Sequence, residues 1–371
     1  MNRFSFSRRT MMQAMAGAGL AAAISPALAR KPAGAAKKKI GVALIGLGYY
    51  SRELLAPALQ LTRHCRLAGI VTGSPEKIEP WQQKYGIADG NVYDYDNFDR
   101  IADNPDIDAV YVVLPNHLHK PFTERAAAAG KHVWCEKPMA MNADEAQAMI
   151  DACARNRVQL TIGYRMQHEP NTERIIGFAR ERPYGRIAGI RAEAGFKGFN
   201  DGWSDVWRLD PARGGGAMYD MGVYALNAAR YTSGQEPIAV TATQEIHRPE
   251  IFRGVDETMR FRLEFPDETV ADCVTSFGMN VNRLRADCEN GWYELSPFQS
   301  YEGIQGRTSD GQQLDASLGA TPHQQARQMD NDALAILHGT PPRVPGEEGL
   351  RDMRVVDAIF ASARSGRRVE I

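Results

Sequence analysis

Apolar positions follow two rhythms along the chain, and the change between them divides it. Up to Gly163, short continuous apolar runs alternate with stretches of helical spacing. The runs fall at residues 42–45, 66–72, 108–115, 131–135 and 159–163. An unbroken run with no polar alternation fits a strand buried on both faces, as in a parallel sheet. Helices are predicted between them at 49–61, 97–102, 121–129 and 143–156, and Gly130 is a helix C-cap signal. From Arg186 the rhythm becomes period two, at residues 187–196, 238–247, 259–265, 270–276 and 282–288. Strands that follow one another without helices imply an antiparallel or mixed open sheet. One helix interrupts them at 218–231, and two more close the chain at 321–338 and 347–365. The last carries a stripe of Leu350, Met353, Val356, Ile359 and Phe360, which faces a core.

The first apolar run ends in Gly46-Leu47-Gly48-Tyr49-Tyr50-Ser51, a strand, a glycine turn and a helix start. Gly46 permits the tight turn, and Gly48 lets the backbone approach a pyrophosphate at the positive end of the helix. Ser51 stands where the third glycine of this fingerprint would be. The expected fold is therefore α/β plus α+β. A Rossmann dinucleotide-binding domain spans 39–163, and an open, mostly antiparallel sheet with helices on one face spans 164–371. An NAD site places an acid at the end of the second strand. Here Thr72-Gly73-Ser74 and Lys77 stand instead, two hydroxyls and an ammonium that suit the 2′-phosphate of NADP.

Further polar residues collect where strands of such a sheet end, beside the cofactor crevice. Asn116 either caps a helix or meets the nicotinamide ribose. His117 and His119 have no carboxylate or thiolate cluster with them, so no metal is expected. Glu136-Lys137-Pro138 sets a charged pair at a strand end, where the lysine can bind a substrate hydroxyl or perturb a neighbour. In the second half, Asp220 and Tyr224 share one helix face at spacing i, i+4. Gly214-Gly215-Gly216 lets the preceding loop lie against a ligand. Trp203, Trp207 and Arg208 lie just upstream, and aromatic rings often line sugar sites.

The N-terminus reads differently. Arg8-Arg9 precedes an alanine-rich run at 11–24, broken by Gly17 and Gly19, and Ala27-Leu28-Ala29 offers a cleavage site. Residues 1–29 are expected to be a twin-arginine export signal to the periplasm, and 30–38 a short leader. The formal net charge is −1, and the signal holds three arginines and no acid, so the remaining 342 residues sit near −4. That argues against nucleic acid or an anionic membrane as partner. The five cysteines are scattered and odd in number, neither a disulfide framework nor a zinc site.

Glu136-Lys137-Pro138 behind a glycine-turn strand, with Asp220 and Tyr224 later, resembles the Gfo/Idh/MocA oxidoreductase family. Tyr49-Tyr50, Val71-Thr72-Gly73, Tyr93-Asp94-Tyr95, Leu114-Pro115-Asn116, Gly163-Tyr164-Arg165 and Trp207-Arg208-Leu209 look like its glucose–fructose oxidoreductase branch. The resemblance implies Lys137 and Tyr224 as the catalytic pair, supported by Asp220. It implies that Gly46, Leu47, Gly48, Tyr49, Tyr50, Thr72, Gly73, Ser74, Lys77 and Tyr95 bind NADP. Leu114, Asn116, His119, Glu136, Lys137, Arg165, Trp207, Arg208 and Tyr301 are implied around the rest of the cofactor. Free tyrosine has a pKa of about 10, and an ammonium beside it favours the phenolate. Tyr224 would then exchange a proton with a sugar as hydride moves to or from the nicotinamide. Outside the cytoplasm no free cofactor is available, so a retained NADP(H) would alternate between oxidising one sugar to a lactone and reducing another to an alditol. The branch's long N-terminal arm is represented here only by Arg30 to Lys39, and a homodimer or homotetramer is the implied assembly. A dehydrogenase with dissociable NADP(H), or a non-catalytic sugar-binding protein, are the alternatives on the same fold.

Overall fold

The computed structural model describes residues 39–199 and 206–371. The expected signal, the leader and Trp203 lie outside them. β1 (Ile40–Ile45) is buried at every residue. It is followed by β2 (Cys65–Val71), β3 (Val92–Tyr93), β4 (Ala109–Val112), β5 (His132–Cys135) and β6 (Leu160–Ile162). All pair in parallel, in the order β3-β2-β1-β4-β5-β6. The unbroken apolar runs are explained by cores on both faces. Ala43, Ile45, Val110, Val112 and Val133 pack on one side, while Val42, Leu44, Tyr111 and Trp134 pack on the other. Strand order reverses between β1 and β4, so their carboxyl ends open the crevice of a doubly wound sheet.

The second sheet comprises β7 (Ile187–Gly195), β8 (Ala239–Glu245), β9 (Thr258–Glu264), β10 (Val270–Ser276), β11 (Val281–Cys288), β12 (Gly291–Leu295), β13 (Gly306–Thr308), β14 (Gln313–Leu314) and β15 (Val369–Glu370). Their order is β14-β13-β12-β11-β7-β10-β9-β8-β15. Only β7 and β10 pair in parallel among the described residues. The helices Val223–Ser233 and Gly346–Ser365 cover the face formed by such residues as Ala192, Phe261, Leu263, Ala271 and Ala286. The other face is a lattice of cross-strand ion pairs: Arg260–Glu245, Arg262–Asp272 and Arg283–Glu294.

Three features depart from the sequence reading. The helix Pro170–Glu181, which that reading did not include, begins where the Glu169 carboxylate accepts the Thr172 N–H and Pro170 takes the first helical position. Strands β12 to β14 are too short to show a period. And the helix His323–His338 follows the second sheet in sequence but packs on the first, through Ala326, Met329 and Ala333. The Val344 carbonyl then accepts the Ile162 N–H beside β6. The expected division at residue 164 is therefore crossed by the tail.

A buried ionic junction ties the Val223–Ser233 helix to the last one. Arg230 is almost fully buried, pairs with Asp352 and lies 3.1 Å from Glu348 and 2.7 Å from Glu236. Asn227 donates to the Asp352 carboxylate at 3.0 Å. Burial would raise the Glu348 carboxyl, but Arg230 outweighs it and holds it below the usual range. Removing Arg230 strands the fully buried Asp352 carboxylate, whereas Glu348 keeps Arg351 at 3.0 Å. Arg230→Ala is therefore expected to cost roughly 3–5 kcal/mol, read from its urea unfolding midpoint. Adding Asp352→Asn is expected to recover part of that loss.

Candidate active site

The glycine turn is built as the strand–turn–helix pattern requires. Gly46 has φ +86°, and a Cβ there would stand 2.3 Å from the Val113 carbonyl oxygen. At Gly48 a Cβ would meet nothing within 4 Å, so open space lies against this backbone. Buried Ser51, in place of the third glycine, donates its hydroxyl to the Gly46 carbonyl at 2.5 Å. The expected helix opens as one wide π turn, Tyr50–Leu55, and narrows into Ala56–Leu59. Such turns are frequent at functional sites.

The open space is a cavity of about 840 Å³ between the two sheets. Gly46, Leu47, Gly48, Tyr49 and Tyr50 form its floor, and Thr72, Ser74, Lys77 and Tyr95 flank it on the β2 side. Leu114, Asn116, Glu136, Lys137 and Arg165 come from the ends of β4, β5 and β6. Trp207, Arg208, Asp220, Tyr224 and Tyr301 close it from the second sheet. Two implied cofactor residues do not line it. His119 is buried with Nδ1 2.8 Å from the Pro138 carbonyl and Nε2 2.8 Å from the Leu114 carbonyl, and as a neutral imidazole it donates its one N–H to one of them. Burial lowers its pKa to about 4. Gly73 makes room for Tyr95, whose ring a Cβ there would meet at 2.8 Å. Asn116 has a second task beside the cavity, donating to the Gly214 carbonyl at 2.7 Å and tying the glycine loop to the first sheet. Val113, Pro115, Phe196, Met221, Gln299 and Ser300 also line the cavity. Their residue types carry no chemical signal, and only the fold brings them together.

Lys137 is the meeting point of the two halves. Its ammonium donates to the Asp220 main-chain oxygen at 2.6 Å, lies 3.7 Å from the Asp220 carboxylate and sits 4.6 Å from the centre of the Tyr224 ring. Arg208 Nε is 3.2 Å from the other Asp220 oxygen. Burial alone would raise the Asp220 carboxyl, but Arg208 and then Lys137 hold it below the ordinary value. A second cation, Arg165, lies 5.5 Å from the Tyr224 ring centre and 4.7 Å from that of Tyr301. It is fixed by donation to Gln324 Oε1 at 2.6 Å and the Ser300 carbonyl at 2.7 Å. Burial pushes the neighbouring Tyr50 and Tyr301 hydroxyls up, which keeps both as phenols. Tyr224 is held between two cations, with an ionised carboxylate fixing one of them. That arrangement suits proton transfer to or from a hydroxyl.

The helix bearing Asp220 and Tyr224 also starts with a π turn, Met218–Gly222, before Val223–Ser233. Asp256 caps it: its carboxylate accepts the Met218 N–H at 2.7 Å and its carbonyl accepts the Ala217 N–H at 3.1 Å. Gly216, at φ +108°, clears this cap, since a Cβ would lie 2.1 Å from Asp256 Oδ1.

A doubly wound sheet with an open glycine turn and a lysine–aspartate–tyrosine set at its crevice defines a dinucleotide-dependent oxidoreductase. Residues 40–164 match an oxidoreductase family with an NAD-binding Rossmann fold, and residues 178–294 match the GFO/IDH/MocA C-terminal domain. The chain belongs to the GFO/IDH/MocA oxidoreductase family. It is 30% identical to D-xylose 1-dehydrogenase (NADP(+)) 2 of Haloferax volcanii over 90% of this chain and 98% of that one. It is 28% identical to the D-xylose 1-dehydrogenase [NADP(+)] of Haloarcula marismortui, over 89% and 92%. The crystal structure of aldose-aldose oxidoreductase from Caulobacter crescentus, complexed with glycerol, superposes with a TM-score of 0.85 at 41% identity, covering 90% of this chain and all of that one.

Gly216→Ala is expected to lower kcat about a hundredfold, the scale of a small misplacement of reacting groups. Dinucleotide affinity, titrated by protein fluorescence, is expected to stay within about threefold, because the glycine turn is untouched.

Proposed function

We propose that this chain is an exported NADP(H)-dependent sugar oxidoreductase. In this reading it oxidises an aldose at C1 to the lactone and reduces a second sugar, ketose or aldose, to an alditol with the cofactor it retains. The observation that carries the reading is Lys137 held against Asp220 and Tyr224 at the edge of a cavity floored by glycines. The cavity fits a dinucleotide. Gly48 leaves the pyrophosphate side of the turn open, and Thr72, Ser74 and Lys77 offer a 2′-phosphate two hydroxyls and an ammonium without an opposing acid. The names of the two xylose dehydrogenases, each carrying NADP, favour the same cofactor.

Bound NADP would supply the hydride acceptor and, once reduced, the donor. Tyr224 takes the proton of the C1 hydroxyl as hydride leaves that carbon, and returns it to the carbonyl oxygen of the second sugar. The Lys137 ammonium and the Arg165 guanidinium lie 4.6 and 5.5 Å from the centre of the Tyr224 ring. Asp220 keeps the Lys137 ammonium in place between turnovers. Trp207 gives the sugar a flat apolar wall, with the Arg208 guanidinium 4.4 Å from its ring centre. The two-sugar cycle is supported by the name of the 41% identical relative, an aldose-aldose oxidoreductase, and by the twin-arginine pattern in residues 1–29. In the periplasm such an enzyme meets no pool of free nicotinamide, so alternation between two sugars regenerates its cofactor. A homodimer or homotetramer, assembled through the open face of the second sheet, completes the reading. A dehydrogenase with dissociable NADP(H) is favoured by one observation, the exposure of Tyr49 beside the cavity.

Extensively dialysed protein is expected to show a reduced-nicotinamide absorbance that rises on adding an aldose and falls on adding a second sugar. Absence of bound nicotinamide would favour the dissociable form. Tyr224→Phe and Lys137→Met are each expected to slow turnover by 10²–10⁴-fold with cofactor still bound. Unchanged turnover in both would overturn the site assignment. Lys77→Ala is expected to weaken NADP binding about tenfold with little effect on NAD, measured as the two dissociation constants.

A further inference from the structure

Four residues other than glycine have positive φ among the described residues, and three have a local reason for it. Arg157 and Arg182 end helices, and Glu268 sits in the turn between β9 and β10. Phe199, four residues past β7, is different. It is buried, its φ is +59°, and it ends neither a helix nor a hairpin. A left-handed backbone crowds the Cβ of a bulky residue, so such a bend persists only where its surroundings hold it.

Arg248, between β8 and β9, does the holding. One end of its guanidinium donates to the Gly198 carbonyl, at the peptide that enters Phe199, at 2.9 Å. The other end donates to the Phe277 carbonyl at 2.7 Å, and the Gly198 N–H meets that same carbonyl at 3.1 Å. Nε donates to Oε1 of buried Glu257 at 2.7 Å. The other Glu257 oxygen accepts the His247 and Arg248 N–H groups, so both side chain and main chain of the arginine are fixed. Gly278 leaves room for this carboxylate, since a Cβ there would stand 2.8 Å from Oε1.

The bend places an aromatic stack. The Phe199 ring centre is 4.7 Å from that of Phe277 and 6.0 Å from that of Phe252, which lies under the Arg248 guanidinium. Phe196 completes the stack, 5.2 Å from Phe277 and 6.2 Å from Phe199. Of these four rings, Phe196 is the one that lines the cavity. It follows β7, whose end packs against the Met218–Gly222 turn that carries Asp220. Its wall therefore belongs to the second-sheet side, across from the glycine turn. Asp256, which caps that turn, and Glu257, which holds Arg248, are adjacent in the chain, so one short stretch sets both the reacting helix and this wall.

We propose that Arg248 is a positioning residue for the sugar end of the cavity: it holds the left-handed bend at Phe199, and the Phe199 and Phe277 rings fix Phe196 as a flat apolar wall for the substrate ring. The C–H face of a sugar packs on such a ring, while its hydroxyls are left to the polar groups around Lys137. The substrate in this proposal rests on the oxidoreductase reading given above.

Two measurements test it. The first needs neither cofactor nor sugar. In protein labelled with 4-fluorophenylalanine, the Phe196 fluorine resonance is the one lost in Phe196→Ala. It is expected to move by more than its linewidth in Arg248→Met, while the resonances of Phe98 and Phe122 in the first core stay in place. An unmoved Phe196 resonance would overturn the positioning role. The second is steady-state kinetics with D-xylose or D-glucose, whichever the native protein turns over. Arg248→Met is expected to raise the sugar KM about tenfold with kcat within about twofold, the mark of lost binding shared by ground and transition states. NADP affinity is expected to stay within about twofold, because the glycine turn is distant. Phe196→Ala should raise KM as much, and the double variant no further than Phe196→Ala alone. Multiplying effects in the double variant, or a fall in kcat at unchanged KM, would overturn the proposal. Should Arg248→Met fail to fold, Phe199→Gly carries the same tests, since glycine adopts positive φ without strain. Native protein that turns over no sugar would overturn the oxidoreductase reading, while the fluorine spectra still decide whether Arg248 fixes Phe196.

Discussion

The contact on which the site depends is the donation of the Lys137 ammonium to the main-chain oxygen of Asp220. One partner ends a strand of the first sheet, and the other opens a helix packed on the second. A main-chain acceptor cannot swing away as a side chain can, so the bond fixes where the two halves meet. The Asp220 carboxylate, set by Arg208, supplies the charge that compensates this partly buried ammonium. A lone cation there would carry a desolvation penalty of several kcal/mol. The phenol of Tyr224 is then met by a cation already in position, and catalysis loses little to reorganisation.

Both helices that bear on the cavity begin with a wide turn, Tyr50–Leu55 and Met218–Gly222. Each is locked by a local device: the Ser51 hydroxyl on the Gly46 carbonyl in one, the Asp256 carboxylate on the Met218 N–H in the other. Wide turns have poorer backbone hydrogen bonding than a regular helix, and these side-chain bonds offset part of that loss.

Much of this was legible in the sequence because the relevant signals are local. Continuous apolar runs marked β1, β2, β4 and β5, since strands buried on both faces admit polar residues only at their ends, as with Arg66 and His132. The helix Ala143–Asn156 has the bounds expected of it, and the structure adds its cap, Asn142, which accepts the Glu145 N–H. The lysine at the end of β5 and the Asp220–Tyr224 pair stood out by position and spacing. What was hidden depends on distant partners. Nothing local to His119 reveals that both its ring nitrogens lie against main-chain carbonyls, nor that Gly73 makes room for the Tyr95 ring. Gln299 and Ser300 reach the cavity through an irregular segment with no period to read. The Gln328–Tyr111 bond joins residues 217 positions apart, beyond any pattern argument.

The helix His323–His338 has a consequence for how the chain comes to be folded. It fills the outer groove of the first sheet with Met329 and Ala333, both completely buried, and its Asp330 fixes the start of β2. The nucleotide-binding half is thus finished by residues made after strands β7 to β14 of the second sheet. Until they arrive, Leu44, Leu55 and Leu59 lack part of their cover, and closing a loop of this length is slow because its entropy is lost before the contacts form. Until that helix is made the first sheet stays open on this side, so the first half cannot be completed before most of the second has been made.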